Sequence, residues 1–161
     1  MLSRHFETNG FIPATAERVF EHLDDPARLD AHMSKSSWKM GGGRMEMVFD
    51  DKQGRVVGSR IRLAGRVFGI SLFVDEIVTK RDPPYRKIWE TLGTPKLLVI
   101  GQYRFGFEIT QQDRGSMLRV FIDYALPQKG WARWWGVLTG NYYARWCTQQ
   151  MVDDAEAYFR A

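Results

Sequence analysis

From Arg44 to Tyr124 the apolar residues fall at every second position, and from Trp131 onward they follow a helical repeat to the end of the chain. That division limits the fold more than any other feature. SRIRLAG sets Ile61 and Leu63 against Arg60 and Arg62. YRFGFEI sets Tyr103, Phe105, Phe107 and Ile109 against Arg104, Gly106 and Glu108, and SMLRVFIDYAL keeps Leu118, Val120, Ile122 and Tyr124 in phase. GISLFVDEIVTK and, past the break at Asp82-Pro83-Pro84, RKIWET lie between them. Such alternation gives each strand one apolar and one wet face. Strands that follow one another with no helix between them are joined by hairpins, so the sheet is expected to be antiparallel.

Ahead of this block, FIPATAERVFEHLDDP reads as a strand end, a turn at Pro13 and a short helix with Val19, Phe20 and Leu23 on one face, stopped at Asp24-Asp25-Pro26. A second short helix is expected over Ala27 to Met33, and SKSSWKMGGG has the composition of a loop. The closing helix would run for about thirty residues, or roughly 45 Å. Its first half, WARWWGVLTGNYYARWC, holds four of the six tryptophans. Trp131, Trp134, Trp135, Leu138, Tyr142 and Trp146 share one side of it, whereas Cys147, Met151, Ala155 and Phe159 fall on nearly the opposite side. The second half is therefore expected to pack on the sheet while the first faces something else. Gly136 and Gly140 stand near the changeover, where a kink costs little.

A chain of 161 residues, 44% hydrophobic and 26% charged, fits one domain over residues 1–161. Folding at this size removes roughly 70% of the unfolded chain's surface from water. One cysteine, Cys147, leaves no intramolecular disulfide, and no apolar run is long enough to span a bilayer, so a cytoplasmic protein is expected. The formal charge of +4 comes from scattered rather than blocked basic residues, which argues against nucleic acid as a partner. No oligomeric state is assigned.

Chemistry-bearing patterns are sparse. His5, His22 and His32 lack ligand-spaced partners, so no metal is expected. MGGGRM has no Lys-Ser/Thr ending for a phosphate loop, and Cys147 has no recognisable histidine partner. No cofactor and no catalytic residue is assigned. Asp75, Glu76, Glu90 and Asp123 could move protons, but a carboxylate on an antiparallel strand usually faces solvent.

The order of elements resembles the START-like, or SRPBCC, superfamily of lipid-transfer domains, polyketide cyclases and the birch pollen allergen. IPATAERVFEHLDDPARL is similar to that superfamily's opening strand end and Val-Phe helix, and VDEIVTKRDPPYRKIWET to its double-proline hairpin with Trp89 beyond. YARWCTQQMVDDAEAYF is similar to the closing helix of bacterial members. The resemblance covers essentially the whole chain and carries no shared catalytic motif. It implies an α+β helix-grip fold: a curved antiparallel sheet of about seven strands wrapped around a long C-terminal helix, with two short helices after the first strand.

It also implies a cavity between sheet and helix that takes a lipid-like or aromatic small molecule. The residues expected to line it are Trp38, Met47, Ile61, Leu63, Trp89, Tyr103, Phe105, Trp135, Leu138 and Tyr142. Parity alone does not separate a lined cavity from a packed core. An alternative is a polyketide cyclase or dehydratase using a buried acid or tyrosine, with His32 and Asp123 as the groups to check. A third reading has the tryptophan-rich segment contact a membrane or a protein, although Arg133 and Arg145 are few cations for an interfacial helix.

Overall fold

A computed structural model describes residues 1–28, 44–67, 69–127 and 130–161. Strands β1 (Arg4–Ile12), β2 (Arg44–Phe49), β3 (Arg60–Val67), β4 (Ile70–Asp82), β5 (Arg86–Lys96), β6 (Tyr103–Gln112) and β7 (Gly115–Tyr124) form one sheet. Its order is β1-β7-β6-β5-β4-β3-β2, antiparallel throughout. Six strands thus follow in hairpin sequence, and β1 returns to pair with β7. Helix α1 (Ala16–Leu23) follows β1, and helix α2 (Trp131–Arg160) closes the chain. Residues 26–28 are helical; the rest of the second helix expected from sequence, and the loop after it, lie outside the described residues.

Helix α1 begins where Thr15 Oγ1 accepts from the Arg18 amide and ends at Asp24, whose amide donates to the Phe20 carbonyl. Val19, Phe20 and Leu23 are buried, with the Phe20 ring edge-on to Phe107 at 5.6 Å. Asp24 is tied down as well. It accepts from Lys87 Nζ at 2.6 Å and Arg81 Nη2 at 2.8 Å, which fixes the end of α1 to β4 and β5. Lys87 is only 1% exposed, so this pairing is what allows an ammonium to sit in the interior.

The buried apolar side chains form two clusters. One joins α1, β1, β5, β6, β7 and the second half of α2 through residues such as Phe107, Val120, Ile122, Met151 and Val152. The other, Met45, Ile61, Leu63, Leu72, Val74 and Val78, belongs to β2, β3 and β4. Leu97 and Tyr103 touch both. Helix α2 packs on β1 and β7 rather than centrally. Small residues set how close it comes: a methyl at Gly10 of β1 would run into Val152 and Glu156. One at Gly136 would stand 2.7 Å from Pro127 Cδ and 2.9 Å from the Val99 carbonyl. Gly140 lies over the Tyr124 ring, whose hydroxyl donates to Asn141 Oδ1 at 2.8 Å. The two helix glycines therefore serve close approach within one continuous helix, where the sequence suggested a place to kink.

Candidate functional site

Period two places one row of side chains across the inner face of the sheet: Ile61 of β3, Glu76 of β4, Thr91 of β5 and Tyr103 of β6. Ile61 pairs with Glu76 and Glu76 with Thr91, and the Tyr103 amide donates to Thr91 Oγ1 at 3.2 Å. Within that row the Tyr103 hydroxyl donates to Glu76 Oε1. Neighbouring positions on the same face are apolar, with Leu63 beside Val74, Val78 beside Trp89, and Trp89 beside Phe105. Glu76 is 5% exposed, a carboxylate in hydrocarbon surroundings.

Burial pushes the Glu76 carboxyl up to about 7, against the opposing pull of the Tyr103 hydroxyl and the more distant Lys87 ammonium. The Tyr103 phenol is held well above its ordinary range, by burial first and then by the adjacent carboxylate. From the helix side, Tyr143 and Cys147, one turn apart on α2, interact with each other and sense this pair electrostatically. Burial pushes the Cys147 thiol up to about 12, so it stays protonated and unreactive near neutral pH. The arrangement offers one carboxyl near half ionisation beside neutral hydroxyl and thiol groups. It can accept a proton or a hydrogen bond from a ligand and, when protonated, give one back.

Several inward-facing residues here keep partial exposure: Met47, Phe49, Leu97, Leu98, Tyr103, Tyr143 and Cys147 are half-buried. Helix α2 sits over β1 and β7, and these side chains are left only half covered. Met47, Ile61, Leu63, Trp89, Tyr103 and Phe105 share the inner face as the alternation required. Trp89 and Phe105 are tightly packed, with ring centroids 5.2 Å apart.

Trp135, Leu138 and Tyr142 are elsewhere. They lie on the outward side of α2, between 60% and 74% exposed, and are not brought together with the inner-face residues. With Gly130, Trp131 and Trp134, the first two border an open surface groove of about 570 Å³. Trp38 and His32 lie outside the described residues. Asp123 is on the outer face. Its partial burial is outweighed by His5 and Arg104, which hold it below the usual carboxylate range, so it is not the interior acid sought from sequence. That acid is Glu76, whose signal was its phase, since Leu72, Val74, Glu76 and Val78 all fall on one side of β4.

No family model and no curated protein matches the chain. Among solved structures, a protein of Chromobacterium violaceum is similar over 98% of this chain and 97% of its own, at 16% identity and a TM-score of 0.66. The di-domain ARO/CYC StfQ from the steffimycin biosynthetic pathway is similar over 97% of this chain and 50% of its own, at 14% identity and a TM-score of 0.66. Norcoclaurine synthase from Thalictrum flavum is similar over 96% of this chain and 85% of its own, at 11% identity and the same TM-score.

Proposed function

The chain has the START-like, helix-grip fold, and we propose that residues 1–161 act as one unit that binds a hydrophobic small molecule between sheet and helix, anchored at one polar point by Glu76 and Tyr103. The observation that carries this reading is the inward carboxylate. An ionisable group set among apolar side chains weakens a fold by several kcal/mol unless neutralised. Such groups concentrate where a ligand or a reaction needs them. Covering about 200 Å² of ligand surface would contribute about 5 kcal/mol before the costs of association, at roughly 25 cal/mol per Å². A single oriented hydrogen bond then decides which end of the ligand goes in. The lone cysteine suits a reducing compartment, which supports the cytoplasm as its location.

Saturation with an environment-sensitive apolar dye tests the reading. About one dye per chain should bind. Met47→Trp, at a half-buried position on the inner face, should remove that binding with the melting temperature kept. The double substitution Trp134→Ser/Trp135→Ser on the outer side of α2 should leave it intact. Dye uptake that vanishes with the outer tryptophans but survives Met47→Trp would place the ligand on the surface and end the interior reading.

A second reading, a cyclase- or dehydratase-type enzyme, is favoured by Glu76 alone, because a carboxyl that titrates near 7 beside a phenol can both take and return a proton. Turnover of a polyketone should then rise with pH through about 7 and disappear in Glu76→Gln. Turnover that persists in that variant would exclude it.

A further inference from the structure

We propose that the outward face of the first half of α2 is a docking surface for an anionic lipid membrane. Trp131, Trp134, Trp135, Leu138 and Tyr142 stand on that face between 60% and 85% exposed. Soluble monomers rarely leave a contiguous apolar patch of more than a few hundred Å² in water. The opposite side of this stretch, Gly136, Gly140 and Ala144, is fixed against Pro127, Val99 and Tyr124, so the aromatic side is held outward by packing. Tryptophan and tyrosine favour the layer where headgroups meet acyl chains, because each joins an apolar ring to a hydrogen-bonding group.

Charge selects the partner. Between Asp123 and Asp153 the sequence has no acidic residue, while Lys129, Arg133 and Arg145 fall in that interval. Arg133 and Arg145 are exposed. The structure adds cations that the linear segment does not show. Arg4, also exposed, pairs with Tyr124, whose hydroxyl reaches Asn141 on the helix, so a third arginine stands at this end of the molecule. The α2 N-terminus has no side-chain cap and no acid in its first turn, leaving its partial positive charge uncompensated at the same end. A second copy of the chain fits poorly. A two-fold contact through this face would set arginines toward arginines, and the helix from Trp131 to Val152 carries no carboxylate to pair them.

Co-sedimentation with phosphatidylcholine vesicles, with and without phosphatidylglycerol, tests the proposal while tryptophan emission is recorded. The protein should partition onto phosphatidylglycerol vesicles with blue-shifted emission, and much less onto phosphatidylcholine alone. Arg133→Gln and Arg145→Gln should each weaken that partitioning about fivefold. Trp134→Ser/Trp135→Ser should abolish it with circular dichroism unchanged; if that variant misfolds, Leu138→Glu serves the same purpose. Equal partitioning onto both vesicles, or none onto either, would overturn the proposal. So would a stable dimer in light scattering that the tryptophan substitutions dissolve. Dye binding to the interior is read separately and stands or falls on its own.

Discussion

Glu76 and Asp123 are carboxylates on strands of one sheet, each held by a close hydrogen bond, yet on opposite faces they respond to acid in opposite ways. Asp123 belongs to a ladder of charges on the outer face. His5 Nδ1 stands 2.6 Å from it, Arg104 donates to it at 2.7 Å, and Arg119 bridges Glu7 at 2.6 Å and Glu108 at 2.8 Å. Water screens each such pair to about 1 kcal/mol or less. Glu76 has a phenol for a partner and hydrocarbon around it, so loss of hydration governs it. Around Asp123 the sheet is organised by pairing of charges, around Glu76 by exclusion of water.

The most severe way to break that contrast is to move a charge across it. Phe105→Asp places a lone carboxylate among Trp89, Phe107 and Ile122, and should lower stability by several kcal/mol in a denaturant melt. Arg104→Asp, one position away on the wet face, should cost about 1 kcal/mol or less. The reverse ranking would shift the phase of β6 by one residue and turn every inward assignment outward.

A smaller effect is read through pH. The folded Glu76 carboxyl titrates at about 7, above its ordinary 4.5, so its favourable contribution is complete below 4.5 and lost as pH rises through 7. The difference between the two values corresponds to about 3 kcal/mol. Stability relative to Glu76→Gln should therefore decline across this window and level off above it. Asp123 has the opposite sign, since its depressed folded value gives a contribution present above the ordinary carboxylate range and lost as pH falls. Asp123→Asn should flatten the acid limb and, because Asp123 is the main group that raises the His5 imidazole, also lessen the loss of stability as His5 gives up its proton.

Packing of α2 supplies the next test. Gly136→Val forces side-chain atoms toward Pro127 and the Val99 carbonyl, and should lower stability by about 1 to 3 kcal/mol. Trp134→Ser on the opposite side should change it by less than about 0.5 kcal/mol. Between these two lies Asp123→Asn at neutral pH, expected to cost under about 1 kcal/mol, because its neighbours stay hydrated.

The sheet was legible because period two is direct evidence of a two-faced strand: Met47, Ile61, Leu63, Trp89, Tyr103 and Phe105, expected on one face, share the inner one. The long helix was legible for the same reason, and its second half packs as its stripe implied, with Ala144, Met151, Val152 and Ala155 buried. Two readings went astray, each for a physical cause. Glu76 was grouped with solvent-facing carboxylates by residue type, although its phase with Val74 and Val78 outweighs type. The tryptophan stripe was expected to wall the interior because the family resemblance implies a cavity beside the helix, whereas its own phase already set it apart from the half that packs on the sheet. What decides its side is the opposite stripe of Gly136, Gly140 and Ala144, whose small size admits the backbone to close contact. Sequence shows which residues share a face; which face is buried depends on the partner surface.

The pKa of Glu76, followed by the carbon-13 shift of its side-chain carboxyl in free protein and with the apolar dye at saturation, bears most directly on the proposed site. A value of about 7 that moves when the dye enters puts the carboxyl inside and in contact with the ligand space. A value near the ordinary 4.5, unmoved by dye, would contradict both its burial and its role as an anchor.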